Sequence, residues 1–122
     1  MRVSGRRRSI RLRDYDYATP GAYFVTICTQ HRDPILRSDR PRKAVQDAWA
    51  RLPQTFDNIE LDEFIVMPDH VHFVVWLLDA SGSAAQGASR RAPTLADVVR
   101  AFKGNAARRI NQLRQAPDAP IW

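Results

Sequence analysis

The feature that most constrains how this chain can fold is a pair of strand-length runs, Ile59 to Met67 (IELDEFIVM) and His70 to Leu78 (HVHFVVWLL), separated only by Pro68-Asp69. Both are rich in β-branched and aromatic residues. Two such runs joined by two residues must turn back on each other, so this stretch is committed to an antiparallel hairpin. A third strand is predicted over Gly21 to Thr29 (GAYFVTICT), after the turn signal Thr19-Pro20-Gly21.

Two helices complete the pattern. Ala44, Val45, Ala48, Trp49 and Leu52 recur at the spacing of one helical face, which predicts a short amphipathic helix from Lys43 to Leu52, ended by Pro53. A longer helix starts at Thr94, with Asp97 three residues on as its capping partner. Its apolar stripe is Leu95, Val98, Val99, Phe102, Ala106, Ile110 and Leu113, while Arg100, Lys103 and Arg114 project from another side. Gly104 in its middle costs roughly 1 kcal/mol relative to alanine, which points to a bend or a close approach there. Between hairpin and helix, Ala80 to Ala92 is a small-residue loop without periodicity. The order strand, helix, strand, strand, helix gives an α+β sandwich, an antiparallel sheet with helices packed on one face. At 122 residues it fits one domain, without internal repeats.

The net charge of +6 is unevenly spread. Residues 1–13 carry six arginines and no acid, residues 14–89 carry a charge of −5, and residues 90–114 carry +6. The expected organisation is a basic flexible arm over 1–13 followed by a domain over 14–122. Arg6, Arg7, Arg8, Arg11 and Arg13, with Arg100 and Lys103 on the last helix, suit phosphate contacts that give affinity without sequence choice. A solvated tail accounts for the arm's charge equally well. No apolar run approaches the roughly 18 residues of a membrane span, and the basic start is not followed by a signal-peptide core. The expectation is a cytoplasmic protein with no membrane partner. The lone Cys28 cannot form an internal disulfide and reads as a small buried hydrophobe.

The chemistry-bearing constellation is Met67-Pro68-Asp69-His70-Val71-His72-Phe73. Alternation along a strand points His70 and His72 the same way, so both rings can converge on one ion, with Val71 and Phe73 on the opposite face. Two imidazoles leave coordination positions open for water or a phosphate oxygen. Spacing alone leaves open a second reading, two exposed strand histidines near a turn. No second cysteine pair and no His-Glu-x-x-His helix is present to complete a zinc finger or a metalloprotease.

Several blocks, in order, resemble the REP-associated tyrosine transposases and the wider HUH-type single-strand transposase family. They are Arg8 to Leu12 (RSIRL), Asp14 to Tyr17 (DYDY), Pro20 to Cys28 (PGAYFVTIC), Glu60 to His72 (ELDEFIVMPDHVH), Val99 to Lys103 (VRAFK), Arg109 to Asn111 (RIN) and Ala119 to Trp122 (APIW). Together they cover nearly the whole chain. The resemblance implies a ferredoxin-like nuclease core in which His70 and His72 hold Mg²⁺ or Mn²⁺ against a scissile phosphate of single-stranded or hairpin DNA. A tyrosine from a later helix then attacks, giving a 5′-phosphotyrosine link. Glu63, diagonal from His72 across the hairpin, is the candidate third metal ligand, set against a plain solvated strand acid.

The chain departs from the family pattern in three places. Asp69 stands where the motif usually has asparagine. The loop from His31 to Arg42 is shorter than usual. Trp122 precedes the segment that bears the family's tyrosine, while Tyr15, Tyr17 and Tyr23 all come before the histidines. The expectation is therefore a C-terminally incomplete domain without its catalytic nucleophile, acting as a monomer or homodimer. The alternatives are an inactive DNA-binding remnant of such a transposase and, last, a structural or RNA-binding protein.

Overall fold

The computed structural model describes residues 19–78, 94–116 and 119–122. The basic arm, Tyr15, Tyr17 and the whole predicted loop 80–92 lie outside them. Three strands form, β1 (Gly21–Cys28), β2 (Ile59–Met67) and β3 (His70–Leu77), with three helices, α1 (Asp39–Ala50), α2 (Leu52–Thr55) and α3 (Leu95–Arg114). The sheet is antiparallel throughout, in the order β1-β3-β2. The predicted hairpin is its core, and the histidine-bearing β3 is its central strand.

Register decides what each face carries. On the β1 side Cys28 is opposite His70 and Thr26 opposite His72; on the β2 side Met67 is opposite His70 and Ile65 opposite His72. β2 is not a plain alternation. Its pairing shifts between Leu61 and Phe64, where an extra residue is accommodated as a bulge. Before the shift Ile59 and Leu61 turn inward, and after it Phe64 and Val66 do, so the phase of the strand flips at Asp62-Glu63.

Tyr23, Val25 and Ile27 of β1 and Val71, Phe73 and Val75 of β3 form the inner face, all buried against the helices. Trp49 of α1 stacks on Phe64 with ring centroids 4.9 Å apart and touches Phe73 at 4.7 Å, while Phe102 of α3 meets Phe73 edge-on at 5.5 Å. Each such pair adds about 0.5–1.5 kcal/mol beyond the burial itself. The aromatic cluster thus joins both long helices to the centre of the sheet. Trp122 closes its edge, its ring near Phe102 and its Nε1 donating to the Lys103 carbonyl at 3.1 Å.

The helix boundaries differ from those the spacing predicts. α1 begins at Asp39, four residues early, with Pro41 in its first turn. A proline there loses no intrahelical hydrogen bond, because the first N–H groups have no partner in any case. Pro53, for the same reason, opens the one-turn α2. α3 starts where predicted, and its capping box is complete: Thr94 Oγ1 accepts from the Asp97 N–H at 3.3 Å and the Asp97 carboxylate accepts from the Thr94 N–H at 2.9 Å. Two expectations for α3 fail. Leu113 is exposed and Asn111 takes the buried position in that turn; Gly104 sits in an unbroken helix with nothing near the place a Cβ would occupy. No helix among the described residues is long and apolar enough to cross a membrane.

Candidate metal centre

The outer face of β3 carries His70 and His72, as the alternation requires. Their Nε2 atoms converge to 3.1 Å, with the rings nearly perpendicular. Two ligand atoms at about 2.1 Å from one ion and at right angles to each other would be about 3.0 Å apart, so the pair has the spacing of adjacent octahedral positions. Both rings are also held from behind. His70 Nδ1 lies 2.7 Å from Asp69 Oδ1, and His72 Nδ1 lies 2.9 Å from Thr26 Oγ1 on the neighbouring strand.

These rear contacts set what each Nε2 can do. The hydrogen bond from His70, and after it the one from Arg32, hold the Asp69 carboxyl below its ordinary range. An ionised carboxylate only accepts, so a neutral His70 ring donates from Nδ1 and carries its lone pair on Nε2. The Thr26 hydroxyl works in either direction. When it donates to His72 Nδ1, the His72 Nε2–H can donate to His70. When it accepts from Nδ1–H, both Nε2 lone pairs point into the same space and a cation between them is favoured. His72 can therefore change tautomer on ion binding without losing its hydrogen bond to Thr26.

Asp69 is itself anchored. Arg32 Nε donates to Asp69 Oδ2 at 3.0 Å, and Arg32 Nη1 lies 3.6 Å from Cys28 Sγ. To bring Arg32 there the chain passes through two consecutive left-handed residues, His31 (φ 56°) and Arg32 (φ 55°). Such conformations cost on the order of 1–3 kcal/mol each and persist only where neighbours fix them. The neighbours here are the hydrogen bonds from Thr29 N to the Asp69 carbonyl (3.0 Å), from Leu36 N to the Pro68 carbonyl (2.9 Å) and from Gln30 N to the Ile121 carbonyl (2.8 Å).

Other expected site residues are placed elsewhere. Ile65 stands directly opposite His72, and Glu63, expected diagonal from His72, lies in the bulge between Leu61 and Phe64. Among the described residues no three His, Cys, Asp or Glu side chains gather as an ion-binding group. Arg100 and Lys103 lie on α3, beyond the inner face of the sheet, and Arg100 pairs with Asp97 at 3.1 Å. Arg6, Arg7, Arg8, Arg11 and Arg13 lie outside the described residues. Tyr23 is buried on the face away from the histidines, its hydroxyl donating to the Thr19 carbonyl at 2.8 Å. Cys28 is half-buried on the outer face rather than buried in the core, because its register partner is His70. Sequence reasoning missed Thr26 and Arg32. The strand register would have found Thr26, whereas no local signal marks Arg32.

No family model matches the chain. It is 28% identical over 118 residues to an uncharacterized protein of Haemophilus influenzae, a match that takes in 80% of the chain and 64% of that relative, so the chain spans less than two thirds of its length. Among solved structures, a candidate transposase from Deinococcus radiodurans superposes with a TM-score of 0.57 at 24% identity, covering 86% of this chain and 68% of that one. A REP-associated tyrosine transposase bound to a REP hairpin superposes with a TM-score of 0.58 at 17% identity, covering 93% of this chain and 56% of that one. At these identities the likeness is one of fold.

Proposed function

We propose that this chain is a DNA-processing core of the HUH transposase type, which uses His70 and His72 to hold Mg²⁺ or Mn²⁺ against a DNA phosphate. The observation that carries the reading is the convergence of the two Nε2 atoms to 3.1 Å on the outer face of the central strand, each ring buttressed through its Nδ1. The fold shared with two transposase structures supports it, one of them holding a DNA hairpin. So do the ordered sequence blocks.

Two imidazoles make an incomplete ligand set, and a hard divalent ion completes its shell with water and phosphate oxygens. Once bound, the ion would polarise the phosphoryl oxygen and offset the charge that builds up in the transition state. The protein's own part is to orient the two rings through their Nδ1 contacts, while the basic arm draws in the DNA backbone. Tyr23 is held in the core by Thr19, so the attacking hydroxyl of the family reaction belongs to a tyrosine other than this one.

Titrating Mn²⁺ into the chain and following the free-ion signal by electron paramagnetic resonance tests the metal. Binding that disappears in His70→Ala and His72→Ala is expected. Intact binding of hairpin DNA without histidine-dependent metal binding would favour the non-catalytic remnant. Incubation of the 122-residue chain with single-stranded and hairpin DNA in Mn²⁺ tests the nucleophile, and a covalent protein–DNA adduct would show that one of its own residues attacks.

A further inference from the structure

Asp69 uses its two oxygens on two different partners, and this carries an inference that rests on the metal reading above. Oδ1 takes the His70 Nδ1–H at 2.7 Å, and Oδ2 takes the Arg32 Nε–H at 3.0 Å. The Arg32 guanidinium is thereby brought over Cys28, whose register partner is His70. Directly opposed residues on adjacent strands have Cβ atoms about 4.5–5.5 Å apart, so this cation stands beside the histidine pair on the same face. Its side chain is 60% exposed, and Nη2 has no partner among the described residues. With Nε on the carboxylate and Nη1 on Cys28 Sγ, Nη2 is the donor left for an oxyanion oxygen.

We propose that Asp69 is a double positioning residue: one oxygen turns His70 Nε2 toward the ion, and the other holds Arg32 so that its Nη2 donates to a non-bridging oxygen of the same DNA phosphate. The loop that carries Arg32 there holds two consecutive left-handed residues, His31 and Arg32, and is fixed by backbone hydrogen bonds to Asp69, Pro68 and Ile121. The pairing also requires a carboxylate at position 69, because a carboxylate accepts on both sides, whereas an amide offers one acceptor and one donor.

The test uses the full chain with three readouts: Mn²⁺ affinity, the imidazole tautomer of His70 from long-range ¹H–¹⁵N spectra without metal, and affinity for a labelled oligothymidine in Mn²⁺ across a salt series. Asp69→Ala is expected to move His70 away from the Nδ1–H form and to weaken Mn²⁺ binding about 10–100-fold. Asp69→Asn, which preserves shape, should keep that tautomer through its amide oxygen yet weaken oligothymidine binding as much as Arg32→Ala does. Arg32→Ala should weaken oligothymidine binding about tenfold and lower the salt slope by roughly 0.7, with a smaller loss of Mn²⁺ affinity than Asp69→Ala gives. An unchanged His70 tautomer in Asp69→Ala overturns the first half of the proposal. Native oligothymidine affinity and slope in Arg32→Ala overturns the second. Absence of His70-dependent Mn²⁺ binding in the native chain would overturn the metal reading itself, and the tautomer comparison, made without metal, separates that failure from this one.

Discussion

The two faces of β3 are built from alternate residues of a single strand, and they obey different rules. On the inner face Val71, Phe73, Val75 and Leu77 are at most 1% exposed and packed under two helices. On the outer face His70 and His72 sit among exposed apolar side chains, Phe24, Ile65, Met67 and Trp76, with polar contacts reaching across from β1 and the 29–33 loop. Core packing is concentrated on the first face and the candidate site lies on the second. Because neighbouring residues of one strand serve both, the packed face fixes the backbone on which the histidines stand.

That contrast can be broken most directly at its centre. Phe73→Ala should destabilise the fold by about 3–5 kcal/mol, read by urea denaturation, since it leaves a cavity beneath Trp49, Phe64 and Phe102. His70→Ala, three residues away on the other face, should cost at least about a hundredfold in Mn²⁺ affinity, at or beyond the upper range for loss of an outer-shell partner, yet shift stability by only about 1 kcal/mol, the worth of a hydrogen bond. A large stability loss there would erase the distinction between the faces. Thr26→Val keeps the shape of β1 but removes the hydroxyl behind His72, and roughly a tenfold loss of Mn²⁺ affinity is expected, with the denaturation midpoint nearly unchanged. The smallest effect sharpens the inner side: Gly104→Ala should stabilise α3 by about 0.5–1 kcal/mol in thermal unfolding, because a methyl group there meets nothing.

Much of the fold was legible in the sequence. The Pro68-Asp69 turn, the three strands and the α3 capping box were all readable because each depends on contacts within a few residues. The α1 start at Asp39 was not readable from the apolar spacing, which begins only at Ala44, and a first-turn proline such as Pro41 is compatible with a helix. The bulge in β2 was readable in principle, since the inward apolar residues shift from Ile59 and Leu61 to Phe64 and Val66. Glu63, set diagonal from His72 by counting back from the Pro68-Asp69 turn, lies in that bulge. Leu113 fits the helical stripe by period alone; its exposure follows from what α3 packs against at that end.

For the site, the sequence by itself determined that His70 and His72 share one face of a strand, because side-chain alternation is a property of the extended backbone. Only the tertiary structure decided that this strand is the central one, that Thr26 lies behind His72, and that a strained loop from the end of β1 brings Arg32 onto Asp69. Those contacts join positions 37 to 46 residues apart. Strand order and loop path set them, and both follow from packing the whole inner face rather than from any local run of residues.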